Sequence, residues 1–168
     1  MVWIDRLSDF CGKLAAWLFF IIAVMITYEV VARYVFLAPT IWAEEMSQFF
    51  QIWATYLAAA YVLKHRKLIS IDTIVSRFSP RVQWYFDLFA YAVIAVFCLV
   101  AIIYGTQIML ESIQVGRSTS TMLAVPKWMT ESAIPIGFGL LFLQTIVEVI
   151  KHFSHPETVK PLVGDSEL

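Results

Sequence analysis

The sequence has little charge and few of the residues that build catalytic or nucleic-acid-binding surfaces. Only 15% of its 168 residues are charged and the net charge is −1, so it has no basic field for a phosphate backbone. Its two cysteines, Cys11 and Cys98, lie far apart, which leaves no pattern for a disulfide framework or a thiolate metal site. No glycine-rich phosphate loop occurs. We therefore expect no nucleic-acid partner, no enzyme activity and no cofactor.

Histidine is also scarce where it could do chemistry. His65, His152 and His155 all fall at or beyond the ends of the predicted helices. A paired-histidine haem site inside a helix bundle is therefore not expected. The same placement leaves no base at membrane depth to activate a serine or threonine. The sequence predicts no catalytic residue and no metal ligand.

The chain consists mostly of hydrophobic residues, many of them in long runs. Hydrophobic residues make up 60% of it and the mean hydropathy is +0.75, which leaves too little polar surface for a water-soluble domain. Four segments reach the roughly 20 apolar residues that cross a bilayer. They lie at about 14–36, 43–63, 82–114 and 126–152. The predicted fold is an all-α integral membrane protein, a single membrane domain with four transmembrane helices.

The lengths of two apolar runs refine this prediction. The first run is about twice as long as a signal-peptide core and no clear cleavage site follows it, so we expect an uncleaved span. The third, at 82–114, would be about 50 Å long as a helix, which exceeds the hydrocarbon thickness. It must tilt or protrude.

The distribution of lysine and arginine predicts that both termini are cytoplasmic. With the N-terminus inside, nine cationic residues fall on the cytoplasmic side and three on the outer side. The nine are Arg6, Lys13, Lys64, Arg66, Lys67, Arg77, Arg81, Lys151 and Lys160, and the three are Arg33, Arg117 and Lys127. Trp42 and Trp128 then fall at the outer interface, where amphipathic rings are favoured. The connections that follow spans one and three are expected outside.

Between spans two and three, apolar residues from Ile71 to Phe78 recur at helical spacing and Pro80 ends the pattern. This predicts a short interfacial helix at about 70–79. Two interpretations stay open: an elbow that fixes spans two and three or touches a partner, and a basic linker whose apolar residues dip into lipid. A polar tail at 153–168 follows the last span.

Four charges lie at the junction of spans one and two. Glu29 and Arg33 are one helical turn apart and can form an ion pair, which would be a local structural pair, an anchor for another helix, or a proton-carrying site at Glu29. Glu44 and Glu45 fall in the first turn of span two, where the helix dipole favours negative charge. Thr40 precedes them as a candidate cap, although the capping-box spacing is missed by one residue.

The fourth span contains the sequence "ESAIPIGFG". Pro135 cannot donate a hydrogen bond to the carbonyl of Glu131, so a bend is predicted there. Gly137 and Gly139 permit close approach of another helix. Such breaks line binding sites in some transporters, but no charge lies in this one, so we interpret it as shaping the helix to fit its neighbour.

A resemblance to a known family now becomes visible. The stretches "YEVVARYVF", "APTIWAEE", "HRKLISID" and "TMLAVPKWMTESAIPIGFGLLFLQ" follow one another in order over roughly residues 10–150. Together they resemble the small membrane subunit, the DctQ-like component, of tripartite ATP-independent periplasmic (TRAP) transporters. That family has the same four-span plan.

The resemblance implies a sodium-coupled importer of organic acids, of the C4-dicarboxylate or sialic acid type, in the bacterial inner membrane. In such a system a periplasmic substrate-binding protein delivers substrate to a large membrane subunit, which carries the sodium and substrate sites. The small subunit packs on the large one, within lipid, and helps present the docking surface. The family's outer-facing motif residues correspond here to Glu44, Glu45, Arg117 and Ser118, which are expected at the docking surface or the subunit interface.

Two alternatives come from other classes. Small proton-coupled multidrug exporters also have four spans, and they have an essential glutamate in the first span. In this chain Glu29 would take that place. Against this, the chain is longer, Glu29 is off-centre, and Arg33 favours its charged form, whereas a proton carrier must also hold the proton. A membrane assembly or sensor protein without a transporter is the other alternative. Co-purification with a large multi-span partner separates it from a transporter subunit.

Overall fold

The computed structural model describes residues 2–65, 79–121 and 123–154, and these form five helices. The helices are α1 (Val2–Tyr34), α2 (Trp42–Lys64), α3 (Pro80–Val115), α4 (Lys127–Glu131) and α5 (Ala133–Ser154). Between α3 and α4, an isolated bridge pairs Ser118 with Pro126. The all-helical class is therefore confirmed. The predicted interfacial helix at 70–79, apart from its last residue, and most of the tail at 153–168 lie outside the described residues.

Three of the four predicted spans coincide with helices that are long and apolar enough to cross a membrane. These stretches are Trp3–Tyr34, Arg81–Val115 and Lys127–Ser154. The remaining helix, α2, has 23 residues, and Ser47, Gln48, Gln51 and Thr55 make it more polar than the others. Four spans, and two cytoplasmic termini, therefore stay a prediction.

The ends of α1 and α3 follow from local chemistry. Arg33 lies in the last turn of α1, where the helix dipole favours a cation. Pro80 begins α3, because a first-turn residue needs no N–H donor and its fixed φ suits a helix. Gly116 ends it with a φ of 66°, a left-handed conformation that glycine adopts without strain. At 36 residues, α3 is about 54 Å long, as the long third apolar run predicted.

α1 begins at Val2, well before the predicted start at residue 14. The predicted start was placed where the apolar run begins. The helix extends further because polar side chains in its first turns have partners on other helices. In α1, Asp5, Ser8 and Asp9 make hydrogen bonds or ion pairs with α2 or α5. The additional three turns are therefore stabilised by contacts between helices.

The helices pack as a row, in the order α1, α2, α5, α3, and α1 also contacts α5 near its N-terminal end. α1 lies along α2, α2 lies along α5, and α5 lies along α3. A Cβ placed on Gly12 of α1 would lie 2.3 Å from the ring of Tyr61 of α2, so only glycine permits that approach. Because α1 and α3 flank the row, each exposes a broad apolar face, with Trp17 and Phe89 among the exposed side chains.

The fourth predicted span is two helices that meet at Ser132. Pro135 has no N–H for the carbonyl of Glu131, and its ring crowds that carbonyl. Hydrogen bonding resumes from the N–H of Ile136 to the carbonyl of Ser132, at 3.3 Å. The break thus falls about one turn before the proline.

The two glycines that follow have different surroundings. A Cβ placed on Gly137 would lie 2.5 Å from the Cβ of Tyr56, so α2 and α5 approach closely there. A Cβ on Gly139 would meet nothing within 4 Å, so the close approach predicted for this glycine is not found among the described residues. Two residues along a helix correspond to a rotation of about 200°, which turns Gly139 away from α2.

Candidate interaction surfaces at the two ends of the helices

Polar residues collect at two opposite ends of the row. We call one the Glu29 end; it comprises Glu29, Arg33, Thr40, Glu44, Glu45, Thr119 and Thr121. The other is the Asp5 end; it comprises Asp5, Ser8, Asp9, Lys64, Gln144, Glu148 and Lys151. The helices between them are mostly apolar. This distribution is the one a bilayer selects for the ends of spanning helices.

Glu29 is buried and accepts hydrogen bonds from two directions. Its Oε1 accepts from Arg33 Nη2 at 2.8 Å and from Arg33 Nε at 3.1 Å, so the predicted one-turn pair is present in the structure. Its Oε2 accepts from the backbone N–H of Thr40 at 3.0 Å and from the Thr40 hydroxyl. The carboxylate therefore ties the end of α1 to the connection that leads to α2.

Thr40, the candidate cap, does not cap α2. Ile41 occupies the N-cap position and makes no side-chain cap hydrogen bond. The hydroxyl of Thr40 donates to the Glu29 carboxylate. In the first turn of α2, the negative charges of Glu44 and Glu45 interact favourably with the helix dipole.

The connection from α1 to α2 exposes an apolar tip, Val35 to Leu37. Leu37 is 84% exposed and has a φ of 51°, an unfavourable conformation for a residue with a Cβ. The hydrogen bond from the N–H of Ala38 to the carbonyl of Ala32, at 3.0 Å, and the Thr40 contacts hold the tip in place. The tip is thus a fixed feature of the Glu29 end.

Glu45 joins α2 to the α3–α4 connection. It accepts hydrogen bonds from the hydroxyl of Thr119, at 2.5 Å, and from that of Thr121. Glu44, one residue earlier, is exposed. The two glutamates therefore have separate environments, as expected for consecutive helical residues that point about 100° apart.

Arg117 and Ser118 lie in the same connection, on a backbone that is well fixed. The N–H of Arg117 donates to the carbonyl of Ser112 at 3.0 Å, and its carbonyl accepts from the N–H of Lys127 at 3.0 Å. The Arg117 guanidinium is largely exposed and lies 3.7 Å from Glu111, an ion pair of little energetic weight at the surface. Its charge therefore remains available to a partner.

The Asp5 end carries a polar network that the sequence did not predict. Gln144, fully buried, accepts from Ser8 at 2.7 Å and donates to Asp5 at 3.2 Å and to Glu148 at 3.1 Å. Lys151 Nζ lies 2.8 Å from both Asp5 and Glu148. The available signal was the i,i+3 spacing of Glu148 and Lys151 and the polar face that Asp5 and Ser8 give α1.

A second lysine adds α2 to this end. Lys64 Nζ lies 2.6 Å from Asp9 and donates to the backbone carbonyl of Asp5 at 2.9 Å. α1, α2 and α5 are thereby connected by charged groups at one level.

The arrangement at both ends suits contact between segments more than chemistry. Within residues 2–65, 79–121 and 123–154, no group of three or more His, Cys, Asp or Glu side chains could hold a metal ion. Glu29, Glu45 and Asp5 all bind groups of their own chain. The fold and its polar ends define a small helical membrane protein whose polar side chains organise helices and connections.

Comparison with known proteins names the family. Residues 22–155 match the family described as "Tripartite ATP-independent periplasmic transporters, DctQ component". The match covers most of the chain, so the chain belongs to this family, as the sequence motifs predicted. The family is one of transporter components and not an enzyme family.

Two curated relatives agree with this assignment. The chain is 28% identical over 134 residues to the isethionate TRAP transporter permease protein DctMQ of Oleidesulfovibrio alaskensis, covering 74% of this chain and 20% of that protein. It is 28% identical over 107 residues to the C4-dicarboxylate TRAP transporter small permease protein DctQ of Rhodobacter capsulatus, covering 62% of this chain and 47% of that protein. The matched regions thus span less than half the length of these relatives.

Proposed function

We propose that this chain is the small accessory subunit of a sodium-coupled TRAP importer of organic acids in the bacterial inner membrane. It packs on a large membrane subunit, which holds the sodium and substrate sites, and helps present the surface on which a periplasmic substrate-binding protein docks. The observation that carries this proposal is the family match over residues 22–155. The names of the two relatives support it, since both are permease proteins of TRAP transporters.

The polar ends fit this role if all four predicted spans cross the membrane and both termini are cytoplasmic. The Glu29 end then faces the periplasm, with Glu44, Arg117 and the apolar tip exposed there. The Asp5 end faces the cytoplasm. Glu29 and Arg33 are structural in this proposal, because the Glu29 carboxylate binds Arg33 and Thr40 and so stabilises the charged form.

The test measures assembly and uptake together. The triple charge reversal Glu44→Lys, Glu45→Lys and Arg117→Glu is expected to reduce uptake in cells that also express the large subunit and the binding protein. The double variant Glu44→Lys and Arg117→Glu keeps the contacts of Glu45 with Thr119 and Thr121, and so separates loss of docking charge from loss of those contacts. Unchanged assembly and uptake in the triple variant would refute the docking role, and transport by the purified chain alone would refute the accessory role.

A further inference from the structure

α2 presents a polar stripe that faces away from the other described helices. Gln48, Gln51 and Thr55 are exposed, and their spacing of three and four residues places them on one face. Thr55 donates its hydroxyl to the backbone carbonyl of Gln51 at 2.8 Å. Among the described residues, neither glutamine amide has a hydrogen-bond partner. The two amides are therefore the unsatisfied groups of the stripe.

Gln51 lies well between the polar ends, and Gln48 lies one turn nearer the Glu29 end. Gln51 is about 20 Å along the helix from Lys64 and about 10 Å from Glu44, at 1.5 Å per residue. In a membrane-spanning α2, that position is within the hydrocarbon region, where an unsatisfied amide is costly. At similar distances from the Asp5 end, the outward faces of α1 and α3 carry apolar side chains such as Phe20 and Val96. Lipid suits these apolar faces better than the face of α2 that carries two amides and Thr55; on α3, Gln107 is a single exposed amide.

The stripe leads into a groove on the same side of the row. The groove is lined along α2 by Thr55, Ala58, Ala59 and Val62. Phe19 of α1 and Ile94 of α3 also line it. Small side chains such as alanine let a neighbouring transmembrane helix approach closely, and polar side chains beside them form hydrogen bonds between helices. This is the combination found where one membrane helix packs on another.

We propose that a transmembrane helix of the large membrane subunit lies in this groove and that its polar side chains bond the amides of Gln48 and Gln51. The inference rests on the proposed function, and it names the surface by which the small subunit binds. The DctMQ relative supports this occupant, because its matched region is 20% of a longer permease chain.

The first experiment compares variants by recovery of the large subunit. The pair Gln48→Leu and Gln51→Leu removes the amides, and Ala59→Leu fills the groove. Each is expected to lower recovery of the large subunit after detergent extraction about tenfold, because each hydrogen bond and each close contact between membrane helices contributes a few-fold. Ala23→Leu, at an exposed position on α1, is the matched control and leaves recovery unchanged.

The outcomes separate this inference from the proposed function. If the unaltered chain does not retain the large subunit, both are overturned. If it does, and the groove variants retain it equally well, the groove assignment alone is overturned. Unchanged thermal unfolding of each isolated variant shows that its fold is intact, as expected for exposed amides and for an alanine that lines an open groove.

The second experiment locates the partner directly. A photo-crosslinking amino acid at position 51 or 59 is expected to attach to the large subunit, whereas the same group at position 96 of α3 is not. Adducts from positions 51 and 59 with a second copy of this chain, or with lipid alone, overturn the inference.

Discussion

At the scale of single residues, Glu29 shows how the environment defines the role of a charge. Its spacing from Arg33 predicts a pair, and that pair is present at 2.8 Å. The contact with Thr40, 11 residues away, adds a second role, because it fixes the connection to α2. A carboxylate that accepts from an arginine, a backbone N–H and a hydroxyl has little acceptor capacity left for a transported proton.

Thr40→Val tests the second role of Glu29. The substitution keeps the shape of the side chain and removes the hydroxyl donor, so we expect a loss of about 1.5–3 kcal/mol in unfolding free energy, the usual range for a hydrogen bond to a charged group. Thr40→Ser is expected to retain most of the stability. Thermal unfolding in detergent measures both.

The control for that prediction is Thr27→Val. Thr27 is exposed and its hydroxyl bonds only the carbonyl of Ala23 in its own helix, so its loss is expected to be small. Equal effects at the two threonines would contradict a specific role for the bond between Thr40 and Glu29.

Gly137 and Gly139 form a natural matched pair. Gly137→Ala places a methyl group 2.5 Å from the Cβ of Tyr56, so we expect α2 and α5 to separate slightly and stability to fall by about 1–3 kcal/mol. Gly139→Ala meets open space, and the higher helix propensity of alanine is expected to raise stability by up to about 1 kcal/mol. Thermal unfolding of the two variants side by side gives the comparison, and effects of the same sign would contradict it.

At the scale of elements, contacts between helices account for where α1 begins. The helix starts three turns before its apolar run, and Lys151 and Gln144 of α5 bind Asp5 in that additional part. The break at Ser132 and the close approach at Gly137 shape α5 to lie between α2 and α3. A few polar or small residues thus determine how each helix packs on its neighbours.

Lys151→Met is expected to weaken the attachment of the start of α1. It leaves Asp5 and Glu148 without their shared cation while keeping an apolar stem of similar length. Removing one partner of such a group costs about 3–5 kcal/mol when it is fully buried, and less here because Lys151 is partly exposed. Limited proteolysis near the N-terminus, together with thermal unfolding, measures the loss.

Lys13→Met is the matched control, since Lys13 is exposed on α1. If Lys151→Met and Lys13→Met showed the same proteolysis pattern, the Asp5 end would not hold α1 in place.

At the scale of the whole molecule, the row of helices gives the protein unusually broad side surfaces. α1 and α3 flank it, so most of their apolar residues face outward. Polar groups mark the two ends, and the exposed amides of α2 lead into a groove that Ala58 and Ala59 line. A protein of this shape has broad side surfaces on which another membrane protein can pack.

Thiol labelling tests the four-span topology. Both native cysteines are buried, so introduced cysteines are the reactive ones. A membrane-impermeant maleimide is expected to label Leu37→Cys and Ser118→Cys in intact spheroplasts, and His65→Cys only after the membrane is permeabilised. Labelling of positions 37 and 65 from the same side would show that α2 does not span the membrane.

The sequence by itself determined the helical class, the positions of the long apolar helices apart from the start of α1, the one-turn pair of Glu29 and Arg33, and the family, because all of these depend on spacing and order along the chain. It did not predict the network at the Asp5 end or the link between Glu45 and Thr119. These contacts join residues as far as 146 positions apart, which no local periodicity encodes. Nor did it show that Gln48 and Gln51 face outward beside a groove. That depended on which face of α2 its neighbours cover, and only the packing of the helices into a row decided it.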